Sequence, residues 1–277
     1  MKKSIKAIVA AAAASVMCAA PAVTPIANVS TTAITASAAT ALYDANGNPT
    51  ASFYSVSGRP ACYVTNNNGL IYQITANTRN KHEVQFCGVA STQSSVVVDN
   101  KININGAVFN VTGIAPDAFR NAPDSNLRNF DLRNAVQITS IAPFTFASSS
   151  IESILLHDHF TEIGLSAFFN ADRIQTIDIP ADVTNICAFA FASCDNLKTV
   201  RFVENDDAEL TIGDSAFKSC TSLKKIINNR DISEDSETSA FDKCSQNIKV
   251  RTEYPFDEYF ERYVVSFCDF FGFNTAI

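Results

Sequence analysis

The most regular feature of this chain is a pattern of apolar positions that repeats between residues 111 and 250. Six phenylalanines in this region each follow a small residue, at separations of 27, 22, 23, 26 and 24 residues. Self-similarity at such a period predicts a solenoid, in which one supersecondary unit stacks on itself. The six pairs are Ala118-Phe119, Thr145-Phe146, Ala167-Phe168, Ala190-Phe191, Ala216-Phe217 and Ala240-Phe241.

Each unit also contains a short block with apolar residues at its first, fourth and sixth positions. Ile174, Ile177 and Ile179 form the clearest copy, and Leu197, Val200 and Phe202 form the next. The fourth and sixth positions alternate with polar ones, which is the period of a strand that buries one face. One coil alone cannot bury these side chains, so we expect stacking between coils to provide the stability.

Three strings of the repeat make a family resemblance specific. IGLSAF (163–168), CAFAFASCDNLKTV (187–200) and IGDSAFKSCTSLKKI (212–226) resemble the BspA-like leucine-rich repeats of secreted and surface bacterial proteins. The resemblance implies a leucine-rich repeat horseshoe over residues 111–250, with the short strands on its inner face. It also implies a non-catalytic binding scaffold that is displayed or released outside the cell, and it brings no catalytic residue with it.

The chain before the repeats divides into three predicted parts. Residues 1–38 combine early lysines, an alanine-rich apolar run and a small-x-small site at Ala36-Ser37-Ala38, as a secretory signal peptide does. A lipoprotein site at Cys18 is the alternative, although the bulky Met17 before it is unfavourable. Residues 39–59 are read as a linker and residues 60–110 as a β-rich N-terminal cap.

Charge narrows the choice of partners. The chain has a net charge of −7, and residues 1–38 contain three lysines and no acid, so the mature chain has a net charge of −10. We find no basic stripe in the sequence, which argues against a nucleic-acid partner. No later stretch is apolar enough to predict membrane insertion after signal cleavage.

The C-terminal segment, residues 251–277, is predicted to be a helical cap. Pro255 suits the first turn of a helix, and an aromatic stripe follows it at helical spacing. The stripe would seal the open core of the last coil. Alternatively it docks the protein into a larger extracellular assembly, since Phe270, Phe271 and Phe273 add more apolar surface than a cap needs.

The cysteines are read mainly as small buried residues. Cys194, Cys220 and Cys244 each lie three residues after a repeat phenylalanine, where other copies have alanine or serine. A free cysteine fills such a position well, so we expect reduced thiols there. A bridge between Cys62 and Cys87 is an open alternative, because exported proteins commonly form disulfides.

No constellation of residues points to catalysis or to a cofactor. His157 and His159 are the one cluster of metal-type ligands, and we interpret them as part of an exposed turn. The acidic stretches at 204–209 and 234–237 are interpreted as solvated loops, because neither has the order of a calcium loop. We therefore expect no enzyme activity, no metal site and no cofactor.

These observations favour a secreted binding module. The predicted partner is an extracellular protein or glycan, recognised by the residues that flank the buried strand positions. The candidate surface consists of Asn129, Asp131, Arg133, Ser153, Leu155, Thr176, Asp178, Thr199, Arg201, Lys225 and Ile227.

Overall fold

The computed structural model describes most of the chain from residue 63 to residue 273, and short stretches before it. Side chains are described for residues 63–66, 69–89, 93–104, 106–120, 126–245, 247–252 and 263–273. Only the backbone is described for residues 40–43, 49–55 and 260–262. The predicted signal peptide, Cys62 and Pro255 lie outside the described residues.

A mainly antiparallel sheet of seven strands precedes the repeats. Its spatial order is β1-β2-β3-β4-β5-β8-β7, and β5 and β8 are its parallel pair. Two of its strands lie in the segment that the sequence analysis read as a linker. The strands are β1 (Thr40–Tyr43), β2 (Pro49–Ser55), β3 (Tyr63–Thr65), β4 (Leu70–Thr78), β5 (Lys81–Val89), β7 (Lys101–Ile104) and β8 (Ala107–Ile114).

The repeats form a parallel β-solenoid of about seven turns, which confirms the predicted fold class. One row of strands along the solenoid corresponds to the apolar–polar blocks of the sequence. It contains β6 (Ser95–Val97), β9 (Asn129–Asp131), β11 (Ser153–Leu155), β13 (Thr176–Ile179), β15 (Thr199–Ile212), β16 (Lys225–Ile232) and β17 (Lys249–Arg251). We call the solvent side of this row the strand face.

A second row of very short strands contains the isoleucine that precedes each repeat phenylalanine. Ile141, Ile163, Ile186 and Ile212 lie in parallel register there and are fully buried. The strands are β10 (Ser140–Ile141), β12 (Glu162–Ile163) and β14 (Asn185–Ile186), followed by the end of β15. The central coils therefore contribute to both rows, and their apolar side chains fill the space between the rows.

The six repeat phenylalanines form a continuous ladder through the core. Neighbouring rings have centroids 4.9–5.2 Å apart and planes within 2–9° of parallel. Such pairs fall within the offset-stacked range that aromatic rings prefer. The preceding residue is also buried in every coil, which leaves room for a small side chain only. Its carbonyl joins neighbouring coils: the amide of Phe168, for example, donates to the carbonyl of Ala190 at 2.7 Å.

In four of the coils two residues adopt the left-handed conformation, two positions before and two positions after the ladder ring. Phe189 and Ser193, on either side of Phe191, have φ of 55° and 59°. Asp117, Phe144, Ser166 and Ser215 occupy the earlier position in other coils, and Ser148, Asn170, Ser219 and Lys243 the later one. These turns let the chain reverse direction twice within one coil and leave the ring pointing inward.

Aromatic side chains close both ends of the ladder. Phe86 of β5 packs on Phe119 at 5.8 Å, so the N-terminal sheet covers the first ring. At the other end a π-helical segment (Phe260–Val265) continues into the helix α1 (Ser266–Phe271). From this region Phe267, Phe271 and Phe273 surround the last ring, Phe241, at 4.9–5.8 Å. The prediction of a helical C-terminal cap is confirmed.

The coil that follows Phe217 contains a buried arginine. Arg230 of β16 is fully buried and donates to the carbonyls of Ala181 at 2.8 Å and Ala208 at 2.9 Å. Burial lowers its pKa to about 10. The side-chain amide of Asn228 donates to the carbonyl of Tyr263 at 2.7 Å. These polar contacts attach β16 to the two preceding coils and to the C-terminal cap.

Candidate binding surface on the strand face

The register of the parallel strands aligns exposed side chains in two rows across the strand face. Asn129 pairs with Ser153, Thr176 with Thr199, and Thr199 with Lys225. Two residues further along each strand, Asp131 pairs with Leu155, Asp178 with Arg201, and Arg201 with Ile227. The residue between the two rows, such as Ile177 or Val200, is buried.

All eleven residues of the predicted surface lie on this side of the solenoid or directly beside it. Asn129, Arg133, Leu155, Thr176, Asp178 and Lys225 are exposed, and Asp131, Ser153, Thr199, Arg201 and Ile227 are half-buried. Arg133 follows the end of β9, and its side chain turns back onto Asp131. The arrangement places these residues together, and their role in binding remains a prediction.

Two ion pairs organise the charged part of the rows. Arg133 donates to both carboxylate oxygens of Asp131, with its Nη2 at 2.7 Å from Oδ2. The hydrogen bonds from Arg133 lower the pKa of the Asp131 carboxyl. On adjacent strands of the next sheet, the Nε of Arg201 lies 3.4 Å from Oδ1 of Asp178. Each carboxylate therefore has an arginine partner on the face.

Sequence reasoning missed the first and last strands of the face. Val97 of β6 pairs with Asp131 and is 47% exposed, and Lys249 and Arg251 of β17 pair with Lys225 and Ile227. Each lies beside a buried valine, Val96 or Val250, so the same apolar–polar alternation was present in the sequence. It was overlooked because neither block has the apolar residues at all three repeat positions.

His157 does not belong to an exposed turn, and that interpretation is wrong. Its ring is buried, and Nε2 lies 3.1 Å from the carbonyl oxygens of both Ala135 and Ile138. Its Nδ1 accepts the backbone amide of His159 at 3.1 Å, so both ring nitrogens already have partners. Burial lowers the pKa of His157, which favours this neutral form. The ring of His159 is exposed and contacts Asp182.

The cysteine positions of the repeat are small-residue positions, as predicted. The thiols of Cys194, Cys220 and Cys244 donate to the carbonyls of Phe168, Phe191 and Phe217 at 3.0–3.1 Å, one coil earlier in each case. All three are unbridged. Burial raises the pKa of the Cys194 thiol to about 12. The proposed partner of Cys87, Cys62, lies outside the described residues.

The acidic segment at 204–209 is extended and does not form a turn. It is the middle of β15, where the strand passes from one row to the other. Within the residues whose side chains are described, no three His, Cys, Asp or Glu side chains gather as a metal site would require. No helix in the described part of the chain is long and apolar enough to cross a membrane.

Comparison with known proteins agrees with this architecture. The family described as BspA type leucine-rich repeat region matches residues 112–248 in six copies. Through this region the chain belongs to the BspA-type leucine-rich repeat family. No curated protein matches the chain.

Several solved structures are similar to this chain. One is a leucine-rich repeat protein from Bacteroides ovatus, with 17% identity, a TM-score of 0.48, and coverage of 68% of this chain and 55% of that one. Another is a leucine-rich cell surface protein from Faecalibacterium prausnitzii, with 19% identity, a TM-score of 0.43, and coverage of 73% and 42%. A third is the pneumococcal vaccine antigen PcpA, with 21% identity, a TM-score of 0.45, and coverage of 63% and 51%. The chain thus spans about half the length of the structures that it matches.

Proposed function

We propose that this protein is a non-catalytic extracellular binding module that recognises a protein or glycan partner through the strand face. The observation that supports the proposal is the alignment of exposed side chains from consecutive strands in two rows. A rigid scaffold that presents side chains at fixed spacing loses little conformational freedom on binding, which favours affinity. The apparent signal peptide at residues 1–38 supports an extracellular location.

The face combines the kinds of contact that recognition surfaces use. Leu155, 42% exposed, and the half-buried Ile227 supply apolar contacts, while threonine hydroxyls and two ion pairs supply polar ones. Complementary charge on a partner would fix its orientation and speed association. In this family of solenoids the strand face is therefore where we expect a partner to bind.

The test exchanges one ion pair of the face. The double variant Asp178→Arg/Arg201→Asp keeps opposite charges on adjacent strands, so its fold should be retained while the charge pattern is inverted. Substitution at exposed sites shifts the free energy of unfolding by about 0.5 kcal/mol or less. We expect binding to a panel of immobilised matrix glycoproteins and glycans to weaken at least tenfold for whichever members the unaltered mature protein binds.

A matched control tests charge away from the face. Lys81→Glu/Glu83→Lys exchanges an ion pair of the N-terminal sheet without changing the net charge and should leave binding unchanged. If the control variant loses the partner and the exchange variant keeps it, the binding surface lies outside the strand face. If the unaltered protein binds no member of either class in the panel, the proposal of protein or glycan recognition fails.

The alternative role, docking through the C-terminal aromatic helix, has lost much of its basis. Phe271 and Phe273 both contact Phe241 at the end of the ladder, at 4.9 and 5.5 Å. They therefore belong to the cap, and the surplus of aromatic surface that suggested an assembly contact is largely accounted for.

A further inference from the structure

A strip of basic side chains crosses the last three strands of the strand face. Arg201 of β15, Lys225 of β16 and both Lys249 and Arg251 of β17 lie in the strands, and Lys198 and Lys224 directly precede β15 and β16. The net charge of the chain is −7. The six residues are separated by up to 53 positions in the sequence, so charge counting along the chain did not find them. They are Lys198, Arg201, Lys224, Lys225, Lys249 and Arg251.

The strip keeps like charges side by side. Lys225 and Lys249 are directly paired in adjacent parallel strands, which lie about 4.8 Å apart. Like charges in this arrangement destabilise a sheet. Within the described part of the chain, seven salt bridges form within 4.0 Å, and Arg201 is the one member of the strip that takes part in them. The unfavourable pairing points to an anion supplied from outside.

The shape of the strand face favours a linear ligand. With a step of about 4.8 Å between strands, the row from β6 to β17 is about 29 Å long, and its two rows of exposed side chains lie about 7 Å apart. A standard protein–protein interface covers about 800 Å² on each partner, well above what this face offers. An extended polymer lying along the solenoid would instead contact every strand in turn.

The kind of cation suits a ligand with repeated anionic groups. Four of the six residues are lysines, which act as compact and mobile point charges and do not require one fixed geometry of the anion. A bulky acidic protein would also bring its charge close to the acidic middle of β15. A thin anionic chain confined to the strip would avoid most of the repulsion from these acidic residues, since charges are screened over about 8 Å at physiological ionic strength.

We propose that the basic strip on β15, β16 and β17 binds a linear sulfated polysaccharide. The inference rests on the proposed function and specifies the ligand class for the C-terminal half of the strand face. The polymer runs along the solenoid axis, with successive sulfate groups near Lys198 or Arg201, then Lys224 and Lys225, then Lys249 and Arg251. Asp178, paired with Arg201, marks the N-terminal limit of the strip.

Heparin serves as the sulfated probe for a direct test. We expect the mature protein to bind heparin at 150 mM salt, with affinity that falls as salt is raised. The variant Lys225→Glu/Lys249→Glu should bind heparin at least tenfold more weakly than the unaltered protein does. It should also elute earlier from immobilised heparin. The matched control, Arg79→Glu/Lys101→Glu, makes the same change in charge on exposed residues of the N-terminal sheet and should bind as the unaltered protein does. Melting temperatures of both variants verify that they fold.

Four results would overturn the inference. They are no binding of heparin by the unaltered protein, equal loss of binding in both variants, poly-glutamate binding as tight as heparin, or single-stranded oligonucleotide binding as tight as heparin. The last two would assign the strip to acidic peptides or to phosphodiesters. If heparin binding fails while the Asp178/Arg201 exchange still disrupts binding to a panel member, the proposed function stands and this inference alone falls.

Discussion

At the scale of single residues, the ladder position shows why a small residue precedes phenylalanine in every coil. The phenylalanine fills the core, and the residue before it is also buried, which leaves room for a small side chain only. Its carbonyl accepts a hydrogen bond from a backbone amide of the previous coil. Close approach of the backbones of two coils also explains Gly164. A Cβ added there would lie 2.5 Å from the carbonyl oxygen of Ile141. Burial of one ring removes some 150–250 Å² from water. Single rings should therefore be costly to remove.

We expect Phe168→Ala and Phe191→Ala each to lower the free energy of unfolding by about 3–5 kcal/mol, the usual range for a buried phenylalanine. Both rings are fully buried between parallel neighbours. Phe169→Ala is the matched control, because that ring is 39% exposed and should change stability by about 0.5 kcal/mol or less. Chemical denaturation measures all three, and equal midpoints for Phe168→Ala and Phe169→Ala would show that the ladder is not the core.

The buried thiol of Cys194 makes stability depend on alkaline pH. Burial raises its pKa to about 12 in the folded protein, from 9.0 for an exposed thiol. A raised folded-state pKa gives a contribution that is complete below pH 9 and is lost as pH rises from 9 toward 12. The stability of the unaltered protein relative to Cys194→Ala should thus fall by about 1.4 kcal/mol from pH 8 to pH 10.

Urea denaturation at pH 8, 9 and 10 measures that difference for the thiol. Cys194→Ala itself should fold well, because Ala171 fills the same position one coil earlier and is also fully buried. A stability difference that stays constant over this pH range would show that the folded protein does not protect the Cys194 thiol from deprotonation.

At the scale of elements, the two ends of the solenoid differ in how they cover the ladder. A sheet covers the first ring through Phe86, and a helix surrounds the last ring with three aromatic side chains. Without a cap the end coil would expose an apolar face, which is why solenoids need terminal units of a different kind.

Phe267→Ala should lower the free energy of unfolding by about 3–5 kcal/mol, because Phe267 is 1% exposed and joins Phe202 and Phe241 to the cap. Asp269→Ala, in the same helix but exposed, should have little effect. We expect one cooperative transition in both variants by circular dichroism. A separate early transition in Phe267→Ala would mean that the cap unfolds independently of the coils.

The sequence predicted those elements whose pattern is local. The spacing of the ladder rings and the alternation at Ile177 and Ile179 was enough to place strands and turns. Prediction failed where a distant partner decides the outcome. His157 is buried because its ring nitrogen donates a hydrogen bond to carbonyls 19 and 22 residues earlier. Arg230 is buried because its guanidinium donates to carbonyls 49 and 22 residues earlier. Such contacts leave no signal in a local pattern.

At the scale of the whole molecule, the candidate site was partly predictable for the same reason. Exposed positions beside buried anchors follow from strand alternation, which placed Asp178 and Arg201 on one face. The basic strip depends on which strands become neighbours and in what register. Lys225 and Lys249 are 24 residues apart and meet only because one complete coil separates them. A site on a solenoid is therefore read across coils and only secondarily along the chain.

The uniform step of the ladder has a consequence for how such a protein can change over generations. Each coil adds one ring to the core and one strand to the surface, and it contacts its immediate neighbours. Duplication or loss of a coil would therefore lengthen or shorten the surface by about 4.8 Å while both caps stayed the same. Length is a property that this lineage can adjust in whole increments, matching the reach of the protein to longer or shorter polymers without redesigning either end.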